Sequence, residues 1–253
     1  MIMTVNYAHR GASAYYPENT MLAFEKALEL GATGIETDVQ MTKDGVLILM
    51  HDELVNRTTT GRGFIKNYTY KEIRKLDAGS WFRGDFKNIK VPSLDELMDL
   101  LMDKNIQLNI ELKNNIILYE ELEEKVIQKI YKYNMQNKVI ISSFNHYALE
   151  KCKEISPEIK IGLLYIAGLY EPEKYAKRLG AEALHPYFYA VNNDEIIKNI
   201  KKTGLMLNPY TVDEESYMKF FVDHGVDGII TNYPDKLNKI LTEKNKNRKS
   251  LGV

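Results

Sequence analysis

The sequence predicts an α/β protein of the (β/α)8 barrel (TIM barrel) type with a small inserted subdomain after the second strand, and three observations carry that reading. Short β-rich runs alternate with amphipathic stretches along the chain. Eight such runs each lead into helical periodicity, which favours a closed barrel over an open sheet. A chain of 253 residues is long enough for one large core, so a single domain over residues 1–245 is expected.

The first run, VNYA at 5–8, precedes NTMLAFEKALEL, where Asn19 offers a helix cap, Gly31 closes the helix and Gly34 opens the strand GIETDV. Residues 53–92 break the rhythm with turn residues, aromatics and one short helical piece, so they read as the inserted subdomain. Trp81 and Phe82 there suit either a binding loop or a satellite core beneath it. The alternation resumes with a strand at 106–112, a helix over about 119–133, a strand at 139–144, a helix from His146 and a strand at 160–165. Strands at 183–187, 205–212 and 228–233 follow, leading into helices near 194–202 and 214–224 and one starting at Pro234. The polar, basic end at 246–253 is expected to fray. No residue-level repeat underlies this pattern.

Lys and Arg total 34 against 35 Asp and Glu, so no general field attracts polyanions and nucleic acid is not an expected partner. The single cysteine, Cys152, excludes an internal disulfide and reads as an ordinary thiol. No run approaches the length of a membrane span and the N-terminus lacks a leader pattern, so a cytoplasmic protein without stable membrane insertion is expected. A homodimer is left open.

Residues two apart in a strand share a face, so Glu36 and Asp38 project together, and Glu111 and Lys113 repeat the arrangement near the end of another strand. A barrel strand ordinarily fills that face with Val, Ile or Leu, and buried like charges need a cation or donors to neutralise them. Active sites of such barrels gather at the C-terminal strand ends, which here supply His9, Arg10, Glu36, Asp38, Glu111, Lys113, His185, Asn208 and Tyr210. Three carboxylates suit one hard divalent ion, Ca2+ or Mg2+. His9 and His51, the latter ending the apolar run VLILM, are suited to divide general-base and general-acid work. His185 either lines the pocket or shapes the turn before Pro186, His224 reads as a helix C-terminal cap, and His146 is assigned no chemistry. Arg10 and Lys113 are placed to hold an anion, so the constellation describes phosphoryl chemistry better than acyl transfer. The chain carries neither a GxSxG elbow nor a Walker A loop.

HRGASAYYPENT at 9–20, IETDVQMTKDGVLILMHD at 35–52 and NIELK at 109–113 resemble, in order and surroundings, the three motifs of the glycerophosphodiester phosphodiesterase family. That family is a (β/α)8 branch related to phosphatidylinositol-specific phospholipases C. The resemblance spans nearly the whole chain, including the segment inserted after the second motif. It implies metal ligation by Glu36, Asp38 and Glu111, acid/base catalysis by His9 and His51, and phosphate contact by Arg10 and Lys113. His185 and Tyr210 are weaker matches for substrate contact. Tyr210 stands where the family often has Trp, and Asn232 where it commonly has Asp. The implied activity is metal-dependent hydrolysis of a glycerophosphodiester, such as glycerophosphocholine or glycerophosphoethanolamine, to sn-glycerol 3-phosphate and an alcohol. Two alternatives remain: a phosphodiesterase of lysophospholipase type using an apolar groove from Trp81, Phe82 and Phe86, or a noncatalytic barrel binding a sugar phosphate.

Overall fold

A computed structural model describes residues 4–250 of the chain. Its strands are β1 (Val5–His9), β2 (Gly34–Met41), β3 (Leu47–Leu49), β4 (Gln107–Leu112), β5 (Val139–Ser143), β6 (Lys160–Tyr165), β7 (Ala183–Pro186), β8 (Met206–Leu207) and β9 (Gly228–Thr231). Its helices are α1 (Met21–Glu29), α2 (Tyr70–Ile73), α3 (Leu94–Leu101), α4 (Leu122–Lys132), α5 (His146–Ile155), α6 (Pro172–Leu179), α7 (Asp194–Lys202), α8 (Glu215–Asp223) and α9 (Pro234–Ser250). Parallel pairing runs β8-β7-β6-β5-β4-β2-β1-β9. The seam closes through Asp227 N–H to Leu207 O at 3.0 Å, Ile230 N–H to Pro209 O at 3.0 Å and Val212 N–H to Ile230 O at 2.9 Å. The predicted (β/α)8 barrel is therefore the observed fold.

The eight expected strands appear in order, and the departures have local causes. β8 is two residues long where eight were expected, because Pro209 has no N–H to continue the ladder. The run before His51 is β3, which turns back antiparallel on the outer end of β2, pairing Leu49 with Val39. Gly45, at φ +78°, and the Thr42 hydroxyl, which accepts from Val46 N–H at 3.0 Å, make that turn. α4 starts later than expected because buried Tyr119 leaves the helical path to donate its hydroxyl to Gln40 Oε1 at 2.9 Å. At the C-terminus α9 continues to Ser250, and residues 251–253 lie outside the described residues.

The inserted segment has a small core of its own, built from Val55, Ile65, Ile73, Ala78 and Val91 with Ile48 and Met50. That satellite core is aliphatic. Trp81, Phe82 and Phe86 stay half-buried outside it, in a chain of ring contacts of 5.5–5.8 Å that ends on Tyr16 in the loop after β1. Among the described residues no helix is long and apolar enough to cross a membrane.

Inside the barrel, rings fill the spaces that glycines leave. A Cβ on Gly34 would lie 2.5 Å from the Tyr7 ring, and one on Gly228 would lie 2.6 Å from it. The fully buried His185 ring occupies the corresponding gap at Gly162, where a Cβ would come within 2.6 Å of Nε2. Packing at interior density leaves such a ring no direction in which to yield cheaply. Gly162→Ala is accordingly expected to lower the free energy of unfolding by about 1–3 kcal/mol, the usual range for overpacking. An unchanged urea midpoint would show that His185 is not wedged there.

Candidate active site

Strand register sets the heights of the charged side chains. His9 is level with Glu36 across β1 and β2, and Asp38 is level with Glu111 across β2 and β4. The alternation of the strand then turns Glu36, Asp38 and Glu111 into one interior volume, where their oxygens lie within 4.8 Å of one another. All three are buried. Arg10, just past β1, takes φ +57°. In that conformation its N–H points back to the Glu36 carbonyl at 2.9 Å and to Glu36 Oε2 at 3.0 Å. Gly11 follows at φ +84°, and a Cβ there would lie 2.6 Å from the Ala23 carbonyl carbon; it permits both the turn and the approach of α1.

The cations expected near the carboxylates are in place. Arg10 Nε lies 3.2 Å from Asp38 Oδ2, and Lys113 Nζ lies 2.8 Å from Glu111 Oε1 and 3.8 Å from Asp38 Oδ1. The three carboxyls nevertheless respond differently. Burial, followed by repulsion from Asp38 and Glu111, pushes the Glu36 carboxyl well above its ordinary range. Glu111 is raised by burial and by Asp38. Burial opposes ionisation of Asp38 too, but Arg10 and Lys113 outweigh it and hold that carboxyl well below the usual value.

The two histidines are held from behind at Nδ1. His9 Nδ1 lies 2.7 Å from Asn232 Oδ1, and His51 Nδ1 lies 2.7 Å from Asp52 Oδ1. Asn232 donates its amide to Asp213 Oδ2 at 2.7 Å, and a carboxylate there can only accept, so the carbonyl oxygen must face His9. That oxygen also accepts from Ser13 Oγ at 2.7 Å. Both rings therefore carry hydrogen on Nδ1 and present Nε2 forward; on His9 that atom stands 3.9 Å from Glu36 Oε2. Burial, with Arg10 adding to it, lowers the His9 pKa to about 4.

A cavity of about 380 Å³ opens over this group, lined by His9, Arg10, His51 and Glu111 on one side and by Phe144, Ile166, Tyr187 and Tyr210 on the other. Ten residues were expected at the site. The structure brings His9, Arg10, Glu36, Asp38, His51, Glu111, Lys113 and Tyr210 together, but His185 lies fully buried, with Asn208 Nδ2 3.0 Å from its Nε2, and does not line the cavity. Trp81, Phe82 and Phe86 do not line it either. Asn19 is not the cap of α1. Thr20 caps that helix, accepting from Ala23 N–H, while Asn19, at φ +54°, donates to Asp38 Oδ2 at 2.8 Å and accepts from Thr37 Oγ1. His224 does sit at the α8 C-terminus, with Nδ1 on Phe220 O at 2.8 Å, and His146 lies between Leu164 O and Tyr175 Oη. Glu18, Asn19, Asp52, Arg57, Asp213 and Asn232 complete the surroundings. Their signal in the sequence was adjacency to the motifs, which does not say which way a side chain turns.

Residues 9–236 match the glycerophosphoryl diester phosphodiesterase family. A glycerophosphodiester phosphodiesterase of Caldanaerobacter subterraneus subsp. tengcongensis is 50% identical over 234 residues, covering 92% of this chain and 96% of that one. A putative glycerophosphoryl diester phosphodiesterase from Silicibacter pomeroyi has a similar crystal structure, with a TM-score of 0.87 and 27% identity over 96% of this chain and 95% of that one. An Oleispira antarctica phosphodiesterase, solved in complex with the product sn-glycerol-3-phosphate, matches at a TM-score of 0.84 and 29% identity, over 95% of this chain and 97% of that one. With its barrel, its three motifs and these relatives in agreement, the chain belongs to the glycerophosphoryl diester phosphodiesterase family.

Proposed function

We propose that the chain hydrolyses glycerophosphodiesters, such as glycerophosphocholine or glycerophosphoethanolamine, to sn-glycerol 3-phosphate and an alcohol, using one divalent ion, Ca2+ or Mg2+, at Glu36, Asp38 and Glu111. The observation that carries this reading is the buried carboxylate group at the floor of a cavity that also presents two histidines and Arg10. The residues fit a hard cation. All donors are oxygens, Asp38 Oδ1 is buried without a hydrogen-bond partner, and Glu36 resists ionising until a positive charge arrives. The product bound by the Oleispira relative supports the choice of substrate class.

A bound ion would supply positive charge to a phosphate oxygen and a glycerol hydroxyl. The chain's own groups do the rest. Arg10 and Lys113 offset charge that grows on the phosphoryl oxygens. His9, held neutral by burial and backed by an uncharged amide, takes the proton of the nucleophile at Nε2. His51, whose ring faces the Asp52 carboxylate, gives the proton that the departing alcohol needs. The nucleophile is either water or the neighbouring glycerol hydroxyl through a cyclic phosphate.

One observation favours a second, narrower reading of the substrate. Past the C-terminal ends of β4, β5 and β6 the chain exposes Ile116, Leu118, Tyr147, Ile166 and Tyr170, and Ile166 also lines the cavity. Exposed apolar side chains around the mouth suit diesters that carry an acyl chain. They replace the groove expected from Trp81, Phe82 and Phe86. Comparing glycerophosphocholine with lysophosphatidylcholine decides between the two, and a strong preference for the lipid would displace the first reading.

His9→Ala and His51→Ala are each expected to reduce turnover by about 100-fold or more. Near-native turnover in either variant removes that ring from the mechanism. The raised Glu36 carboxyl also ties metal affinity to pH. A cation binds the ionised form, so binding should expel a proton and weaken as pH falls through the raised Glu36 value. Calorimetric titration with Ca2+ or Mg2+ in buffers of differing ionisation enthalpy reads this directly; heats independent of buffer would rule it out.

A further inference from the structure

We propose that Arg57, which lies in the inserted segment and not in the barrel, is a positioning residue that holds His51 and Arg10 in their working orientations at the same time. Its guanidinium forms two forks. Nε and Nη2 donate to Asp52 Oδ2 and Oδ1 at 2.8 and 2.9 Å, while Nη1 and Nη2 donate to Glu18 Oε2 and Oε1 at 2.9 and 2.7 Å. Each carboxylate passes the constraint on. Asp52 Oδ1 is the atom against His51 Nδ1, and Glu18 Oε1 is the atom that accepts from Arg10 Nη1 at 2.9 Å. Asp52 follows the β3 hairpin and Glu18 precedes α1, so no backbone ladder sets the distance between them. Arg57 does. Trp81, whose Nε1 donates to Ala78 O at 2.9 Å, lies 5.9 Å from the Arg57 guanidinium carbon and anchors it to the insertion.

A lysine cannot replace this arrangement. Its ammonium is a single point on a flexible stem, whereas the planar fork serves two carboxylates at fixed angles. Without it, Glu18 and Asp52 face each other with no cation between them. Asp52 is then free to turn from His51, and Glu18 to draw Arg10 away from Asp38. The Arg57 side chain is 43% exposed, and exposed ion pairs contribute little to stability, so its replacement should leave the fold intact while loosening the site.

The inference rests on the reading of His51 as the proton donor to a leaving alcohol, and the experiment separates the two. Arg57→Lys and wild-type protein are assayed with Mg2+ or Ca2+ on glycerophosphocholine, whose alcohol leaves only with a proton, and on a glycerol phosphate nitrophenyl diester, whose phenolate leaves without one. The expected result is a kcat for glycerophosphocholine lower by at least about 10-fold, part of the 10²–10⁴ that a general acid contributes, with a much smaller loss on the nitrophenyl diester. KM should rise for both diesters through Arg10. Asp52→Asn should reproduce the selective kcat loss alone, and Glu18→Gln the KM rise alone. Equal kcat losses on both diesters, or parameters matching wild type, overturn the proposal while leaving the function in place. A wild-type protein that cleaves neither diester overturns the functional reading and this inference with it. Thermal melts of the variants identify any loss that comes from unfolding.

Discussion

Because Asp38 pairs with Glu111 across neighbouring strands and Glu36 lies two residues back on the same face, backbone hydrogen bonding itself forces three like charges into one buried volume. Most of the site can be understood as a response to that charge. Arg10 adopts a left-handed backbone so that its N–H reaches Glu36 while its guanidinium reaches Asp38. Lys113 returns to Glu111 from two residues along, and Asn19 gives an amide to Asp38 from the turn before α1. The balance is incomplete, since Glu36 is still pushed up and Asp38 Oδ1 accepts no hydrogen bond. A group assembled at this expense in desolvation is compatible with a divalent cation site.

The barrel was legible because its strands and helices obey their own periods over long stretches, and the carboxylate pair was legible because strand alternation is strict. What resisted reading was everything decided by a turn. Asn19 reads as a cap because Asn is a good one, yet the left-handed backbone at 19 moves the cap to Thr20 and frees the amide for Asp38. His185 stands at the end of a strand like His9, but the Gly162 gap draws its ring down into the packed interior. The run before His51 reads only as an apolar run, and the Thr42 turn reveals that it doubles back on β2. In each case a local conformational choice, not residue type, decided where the side chain went.

The same distinction separates the two histidines. By sequence they are equivalent, an imidazole at the end of an apolar run. The structure places a neutral amide behind one and a carboxylate behind the other, and the amide's orientation is itself imposed by Asp213, distant in sequence. An asymmetry of this kind arises only after folding, from partners contributed by the turn after β9, by the loop ahead of α8 and by the turn after β3. The insertion is more than a cover over the barrel mouth. Its aliphatic core supports a surface on which Arg57 is displayed, and its aromatic edge reaches Tyr16 within the first motif.

The ring of Tyr7, seated between Gly34 and Gly228, closes the barrel beneath the carboxylates. A molecule that enters the cavity therefore has no passage through the floor, and whatever forms there departs by the doorway used for arrival. On the proposed chemistry, the carboxylate group at the floor is the place for a phosphate fragment and the apolar half of the rim the place for an alcohol fragment. Traffic in a blind well is ordered by depth: the outer piece must clear before the inner one, and the inner one, while it lingers, occupies the place that the next arrival needs.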